Sequence, residues 1–260
     1  MRPDVIALRN FYDAPLGKTV ADCIAGHIAR LWPDLKGRHL AGIGFAPPFL
    51  ERIGDTAASR IALMPGPQGI LAWPDSTRNA AALVEDDRLP LPDGSFDRII
   101  LAHALEVADH SQDLLAETWR IMVPGGRLIV IVPRRRGFWA GIERTPFASG
   151  QPYSRGQLTR LLADNLFPVS EAKTALYLPP LPPFSNTRLL RGAEHAGQLL
   201  LPGLGGVVIV EAEKQVFRPV GIRPRSALAP LRPALRPKLA PPVTPAPRLC
   251  TARRIRSETA

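Results

Sequence analysis

Leu89–Pro133, LPLPDGSFDRIILAHALEVADHSQDLLAETWRIMVPGGRLIVIVP, is the stretch from which the rest of the chain is read. Asp93-Gly94-Ser95 is a turn sequence, because glycine tolerates positive φ and the Asp and Ser side chains bond their own backbone. Phe96 and the run Ile99–Ala102 then suit a strand buried on both faces. Leu114, Leu115, Thr118, Trp119 and Met122 recur at helical spacing and form one apolar stripe, with Ser111 or Asp109 placed to cap the helix. Asp113 and Glu117 lie towards its positive end and Arg120 towards its negative end. Pro124-Gly125-Gly126 is expected to stop this helix and turn the chain into a second buried strand, Arg127–Val132. Strand, crossover helix and parallel strand describe the whole block economically.

The same block resembles the second half of class I S-adenosylmethionine-dependent methyltransferases, in the group with a type 11-like methyltransferase domain. In that family an LPFPDGSFD-like turn, a leucine-rich LEH segment and an arginine followed by a PGG turn recur in this order. Here they are Leu89–Asp97, Leu105-Glu106 and Arg120 with Pro124-Gly125-Gly126. The resemblance covers roughly residues 16–217 and is closest over 85–166. It implies an α/β fold, a Rossmann-like seven-stranded methyltransferase sheet with helices on both faces, whose last two strands form an antiparallel edge hairpin.

Outward from the block, Leu16–Leu31 reads as a helix with Val20, Cys23, Ile24, His27, Ile28 and Leu31 on one apolar side, and His27 as a core histidine. Arg38–Ile43 suits a strand, and Phe49, Leu50 and Ile53 a helix, since Pro47 and Pro48 are tolerated in a first turn. Arg60–Met64 suits a second strand, Ile70–Trp73 an irregular piece, and Asn79–Val84 fits either strand or helix. Ser154 and Gln157 have capping-box spacing ahead of Leu158, Leu161, Leu162 and Leu166. Val169–Leu178 and Gly206–Glu213 read as strands, Pro179–Pro183 as a rigid loop and Leu189–Leu201 as a helix.

Ligands of open α/β sheets sit beyond the carboxyl ends of the strands. Gly42-Ile43-Gly44-Phe45-Ala46 falls at the end of the first strand, where glycine permits either close approach to a ligand or a tight packed turn. The resemblance makes this turn a site for S-adenosylmethionine, with three departures. Leu40 stands where the family has an acid, Ala46 replaces a third glycine, and Ile61–Pro65 offers no acid for the ribose hydroxyls. The family's acceptor for the adenine amino group maps to Glu85, with Asp86 and Asp87 as alternates. His103, just past Ala102, is the candidate base or substrate contact, because a histidine titrates in a useful range. Glu106 reads as structural, and Arg134–Arg136 as a solvated loop or a site for an anionic substrate. The histidines and cysteines show no metal-ligand spacing, and no nucleophile elbow or phosphate-binding loop occurs.

The net charge of +10 is concentrated. From Arg218 onward there are ten Lys or Arg and one acid, Glu258, which leaves +1 for residues 1–217. The same segment holds nine prolines and no periodicity, so the expected division is a methyltransferase-like domain, 1–217, and a disordered basic tail, 218–260. Such a tail suits weak attraction to nucleic acid or another anionic partner. The N-terminus lacks a secretory apolar core and Cys23 and Cys250 make no disulfide framework, so a cytoplasmic protein without a transmembrane segment is expected. Two functions remain in play. One is methyl transfer to a small-molecule or macromolecular acceptor; the other is a non-catalytic member of the fold acting through its surface and tail.

Overall fold

The computed structural model describes residues 3–135, 137–142, 145–177, 197 and 205–216. The described residues fall within one compact unit, Met1–Arg218. The expected loop 179–183, helix 189–201 apart from Gly197, and tail 218–260 lie outside the described residues, as does Arg136.

In chain order the elements are α1 (Val5–Asp13), α2 (Pro15–Leu31), β1 (His39–Gly44), α3 (Pro47–Ile53), β2 (Ser59–Pro65), β3 (Ala81–Val84), β4 (Phe96–Ala102), α4 (Ser111–Ile121), β5 (Met122–Pro133), α5 (Arg155–Asp164), β6 (Val169–Ala175) and β7 (Val207–Glu213). One seven-stranded sheet has the order β3-β2-β1-β4-β5-β7-β6. Strands β1 to β5 are parallel, and β7 pairs antiparallel with both β5 and β6, closing the sheet with the expected edge hairpin.

Alternate residues of each central strand supply two cores, as the two-residue period of a strand requires. Leu40, Ala62, Met64, Ile100 and Ile129 pack beneath α1, α2 and α3. Ile43, Leu63, Ile99, Leu101 and Val130 pack against α4 and α5. Leu40 is fully buried in the first core, so the place where the family carries an acid is apolar interior here.

Several boundaries differ from the expectations. Residues 81–84 resolve as strand, paired in register with Ala62–Pro65. Helix α4 begins after His110 without a side-chain cap, so neither Ser111 nor Asp109 serves. It ends at Ile121, before Pro124; the PGG turn lies within the segment of β5, where the register with β4 shifts between Phe96 and Arg98. Pro124 bars continuation, and the Gly94 and Ser95 amides close the helix end by donating to the carbonyls of Arg120 and Ile121 at 3.0 and 2.7 Å. The Arg120 guanidinium donates to the carbonyls of Leu91 and Leu89 at 2.8 and 2.9 Å, to Asp93 at 2.7 Å and to Glu117 at 2.8 Å, which ties the turn before β4 to the last turn of α4. The capping box forms with both bonds, Gln157 N to Ser154 Oγ and Ser154 N to Gln157 Oε1.

Candidate functional site

At the end of β1 the chain must bend sharply, and Gly44 does so at φ +84°. A Cβ on Gly44 would lie 2.2 Å from the carbonyl oxygen of Ala102 and 2.8 Å from the Cβ of Ala104. The Phe45 amide donates to that same carbonyl at 2.8 Å. A Cβ on Gly42 would meet Ala46 Cβ at 2.3 Å. Protein therefore fills the space these two glycines leave: Gly44 lets β1 press on the end of β4, and Gly42 lets α3 press on β1. Phe45 and Ala46 are both buried.

His103 follows β4 with a left-handed backbone, φ +51°, and is 2% exposed. Its Nε2 is 2.8 Å from the hydroxyl of Tyr12, and its Nδ1 is 3.4 Å from Oε1 of Glu106. Gln68 donates from Nε2 to the His103 carbonyl at 3.1 Å, and the Phe147 ring packs on the imidazole with centroids 4.9 Å apart. Three distant parts of the chain thus converge on one histidine.

Tyr12 arrives on α1. Asp4 caps this helix by accepting from the Ala7 amide at 2.7 Å, and Val5, Leu8 and Tyr12 are its buried stripe. The Tyr12 ring stacks on Phe45 and meets Phe49 edge-on. Burial raises its hydroxyl pKa well above the ordinary value, and the charge of Glu106 adds to the effect. Val5 lies over the connection after β2, where a Cβ on Gly69 would come within 3.1 Å of Val5 Cγ1. Helix α1 therefore covers the carboxyl edge of β1, β2 and β4.

The acids after β3 follow Val84, whose carbonyl would lie 3.8 Å from a Cβ on Gly66. Glu85 and Asp87 are exposed and Asp86 half-buried, and the Glu85 backbone forms a short bridge with Arg88. Two clefts open on the carboxyl edge. One, of about 320 Å³, has Phe45, Met64 and Trp73 in its wall and Arg9, Lys18 and Arg52 at its mouth. The other, of about 390 Å³, is bounded by Glu106, Asp109, Ser111, Gly150, Gln151 and Tyr153. Phe45 and Tyr12 belong to the first and Glu106 to the second, whereas Glu85, Asp86 and Asp87 line neither. Arg134 is half-buried, and its backbone bridges to Tyr153.

The fit of a nucleoside cofactor turns on the buried polar atoms here. Gln68 Oε1 and Glu106 Oε2 have no hydrogen-bond partner among the described residues, and His103 Nδ1 has only Glu106 Oε1, at 3.4 Å. An unsatisfied buried acceptor or donor costs about 1–3 kcal/mol, so two beside one histidine mark ground suited to a polar ligand. Gln68 follows β2, where the family's ribose-binding acid would precede it; Met64 and Pro65 occupy the strand end instead. An amide oxygen accepts from a hydroxyl as a carboxylate does, though less strongly. Gln68 Oε1 suits a ribose hydroxyl donor, while Tyr12 fills the ground beside His103.

Tyr12 and Gln68 were not among the residues singled out from the sequence. The signal for the first was Asp4 ahead of Val5, Leu8 and Tyr12 at helical spacing, a capped amphipathic stripe. Gln68 carried no signal, because only the folded chain brings it to His103.

Comparison with known proteins agrees with this architecture. Residues 23–130 match the family model described as a methyltransferase domain. The chain is 28% identical over 152 residues to a demethylmenaquinone methyltransferase of Thermus thermophilus, covering 54% of this chain and 61% of that one. It is 26% identical over 193 residues to an uncharacterized protein of Mycobacterium tuberculosis, of whose length it spans 63%. In structure it is similar to a methyltransferase of Thermotoga maritima described as a possible histamine N-methyltransferase, with a TM-score of 0.58, 18% identity and coverage of 80% of this chain and 94% of the other.

Proposed function

We propose that this chain, which has the class I methyltransferase fold and carries a methyltransferase domain over residues 23–130, is an S-adenosylmethionine-dependent methyltransferase. The observation that carries the reading is the buried, unsatisfied Gln68 Oε1 beside His103, at the carboxyl edge where such sheets bind ligands. The cofactor, when bound, supplies an electrophilic methyl group. In this reading Phe45 lines its site, beside a glycine turn already packed by protein, and Gln68 accepts from a ribose hydroxyl. A neutral amide oxygen in place of a carboxylate weakens that contact by about 1 kcal/mol, roughly fivefold to tenfold in affinity.

His103 is the group placed to handle a proton. Its two ring nitrogens face Tyr12 and Glu106, so one tautomer lets Glu106 accept from Nδ1 while Tyr12 donates to Nε2. With Tyr12 displaced, that nitrogen is freed to take a proton from an acceptor hydroxyl or amine. Entry requires α1 to leave its seat, because Tyr12 occupies the ground beside His103. The experiment is isothermal titration of the full chain with S-adenosylhomocysteine, and saturable binding is expected.

A second reading has its own support: the buried Leu40, the apolar end of β2 and the covering Tyr12 all favour a non-catalytic member of the fold. It requires that neither the full chain nor a Tyr12→Ala variant, both shown to be folded, binds the nucleoside.

A further inference from the structure

We infer that the cleft beyond β4, bounded by Glu106 and Gln151, binds a small ligand bearing a protonated amine, with Glu106 as its buried anchor. Its identification as the acceptor's cleft rests on the methyltransferase reading; the binding itself does not.

The cleft is built by two loops held to one another. The Gln151 amide donates to the Glu106 carbonyl at 2.7 Å, and Gly150, at φ +77°, lies so close that a Cβ would be 2.3 Å from the same oxygen. Its volume of about 390 Å³ suits a small molecule. Glu106 is 3% exposed, and its Oε2 has no hydrogen-bond partner among the described residues. A buried carboxylate oxygen left unmatched is a costly feature that a cationic donor would relieve.

Charge selects the ligand class. Glu106 and Asp109 both line the cleft, and among the described residues no Lys, Arg or His does. The start of α4 also lies there, at Ser111, and its dipole presents about half a positive charge. Two carboxylates outweigh that half charge. Tyr153 and Ser111 share a hydrogen bond on the same wall and offer hydroxyls to a polar substituent.

The test uses 2-phenylethylamine and its carboxylate counterpart 3-phenylpropionate as probes on the full chain, followed by the amide chemical shifts of Val107, Gly150 and Gln151. The amine should saturate and move those signals; the carboxylate should not. Glu106→Gln should weaken the amine by about tenfold or more, the loss of one charge-assisted bond. Asp109→Asn, at the exposed rim, should weaken it by about threefold. Equal responses to the two probes, shifts confined to other regions, or unchanged affinity in a folded Glu106→Gln protein would overturn the inference. Should that variant not fold, the probe pair on the unmodified protein and Asp109→Asn still decide. S-adenosylhomocysteine is titrated separately into the same sample. Its failure to bind defeats the methyltransferase reading and leaves the amine site standing, and the converse also holds.

Discussion

The hydroxyl of Tyr12 and Nε2 of His103 lie 2.8 Å apart, with both residues at least 95% buried and 91 positions distant in sequence. This bond fastens the first helix to the end of β4. Tyr12→Phe keeps the ring packing and leaves the imidazole nitrogen unmatched. The cost should be about 1–3 kcal/mol, or a melting temperature lower by roughly 2–10 °C. The same loss makes α1 easier to displace, so affinity for S-adenosylhomocysteine should rise while stability falls. Thermal melts and titration on one preparation measure both signs.

Gly44→Ala should destabilise by on the order of 3 kcal/mol or more, because its Cβ would strike the Ala102 carbonyl and φ is +84°. Gly26→Ala is the contrast. Gly26 lies inside α2 with nothing within 4 Å of an added Cβ, so the substitution should stabilise by about 0.5–1 kcal/mol. Denaturant unfolding of the two variants separates a packed glycine from a merely permitted one.

Arg120→Lys should not restore what Arg120→Met removes. The arginine divides its donors among two carbonyls, Asp93 and Glu117, a set that a single ammonium cannot match. Both variants should lower stability by about 1–3 kcal/mol in chemical denaturation.

The same pair predicts an acid limb. The hydrogen bond from Arg120 holds the Glu117 carboxyl below its ordinary value, so its contribution is present above the unfolded carboxylate range and is lost as pH falls through the depressed folded value. Melting temperature should therefore drop as pH is taken below about 4.5. The drop should be shallower in Arg120→Met, where Glu117 titrates without its partner.

Much of the scaffold was legible in the chain's own periodicities. The β4–α4–β5 block, the proline-started α3, the capping box at Ser154 and the edge hairpin rest on local patterns or on the family's motif order, and each appears in the fold. What stayed hidden depended on partners far away: Arg120 reaches Leu89 and Leu91 across the turn, which helical spacing alone does not reveal. For the site, the glycine turn and His103 do come together at the carboxyl edge, but through Ala102 and Ala104. Tyr12 and Gln68 complete it from segments whose local sequence carries only a helix or turn signal, because long-range contacts leave no mark at fixed spacing.

Hydrogen exchange of the full chain with and without saturating S-adenosylhomocysteine tests most directly whether a nucleoside takes the ground that Tyr12 now holds. The amides of α1 from Leu8 to Tyr12 should exchange faster on binding, and those of His103 and Ala104 more slowly. Unchanged exchange at both places, in a protein that also gives no heat of binding, would contradict the methyltransferase reading and leave the fold as a scaffold without its cofactor.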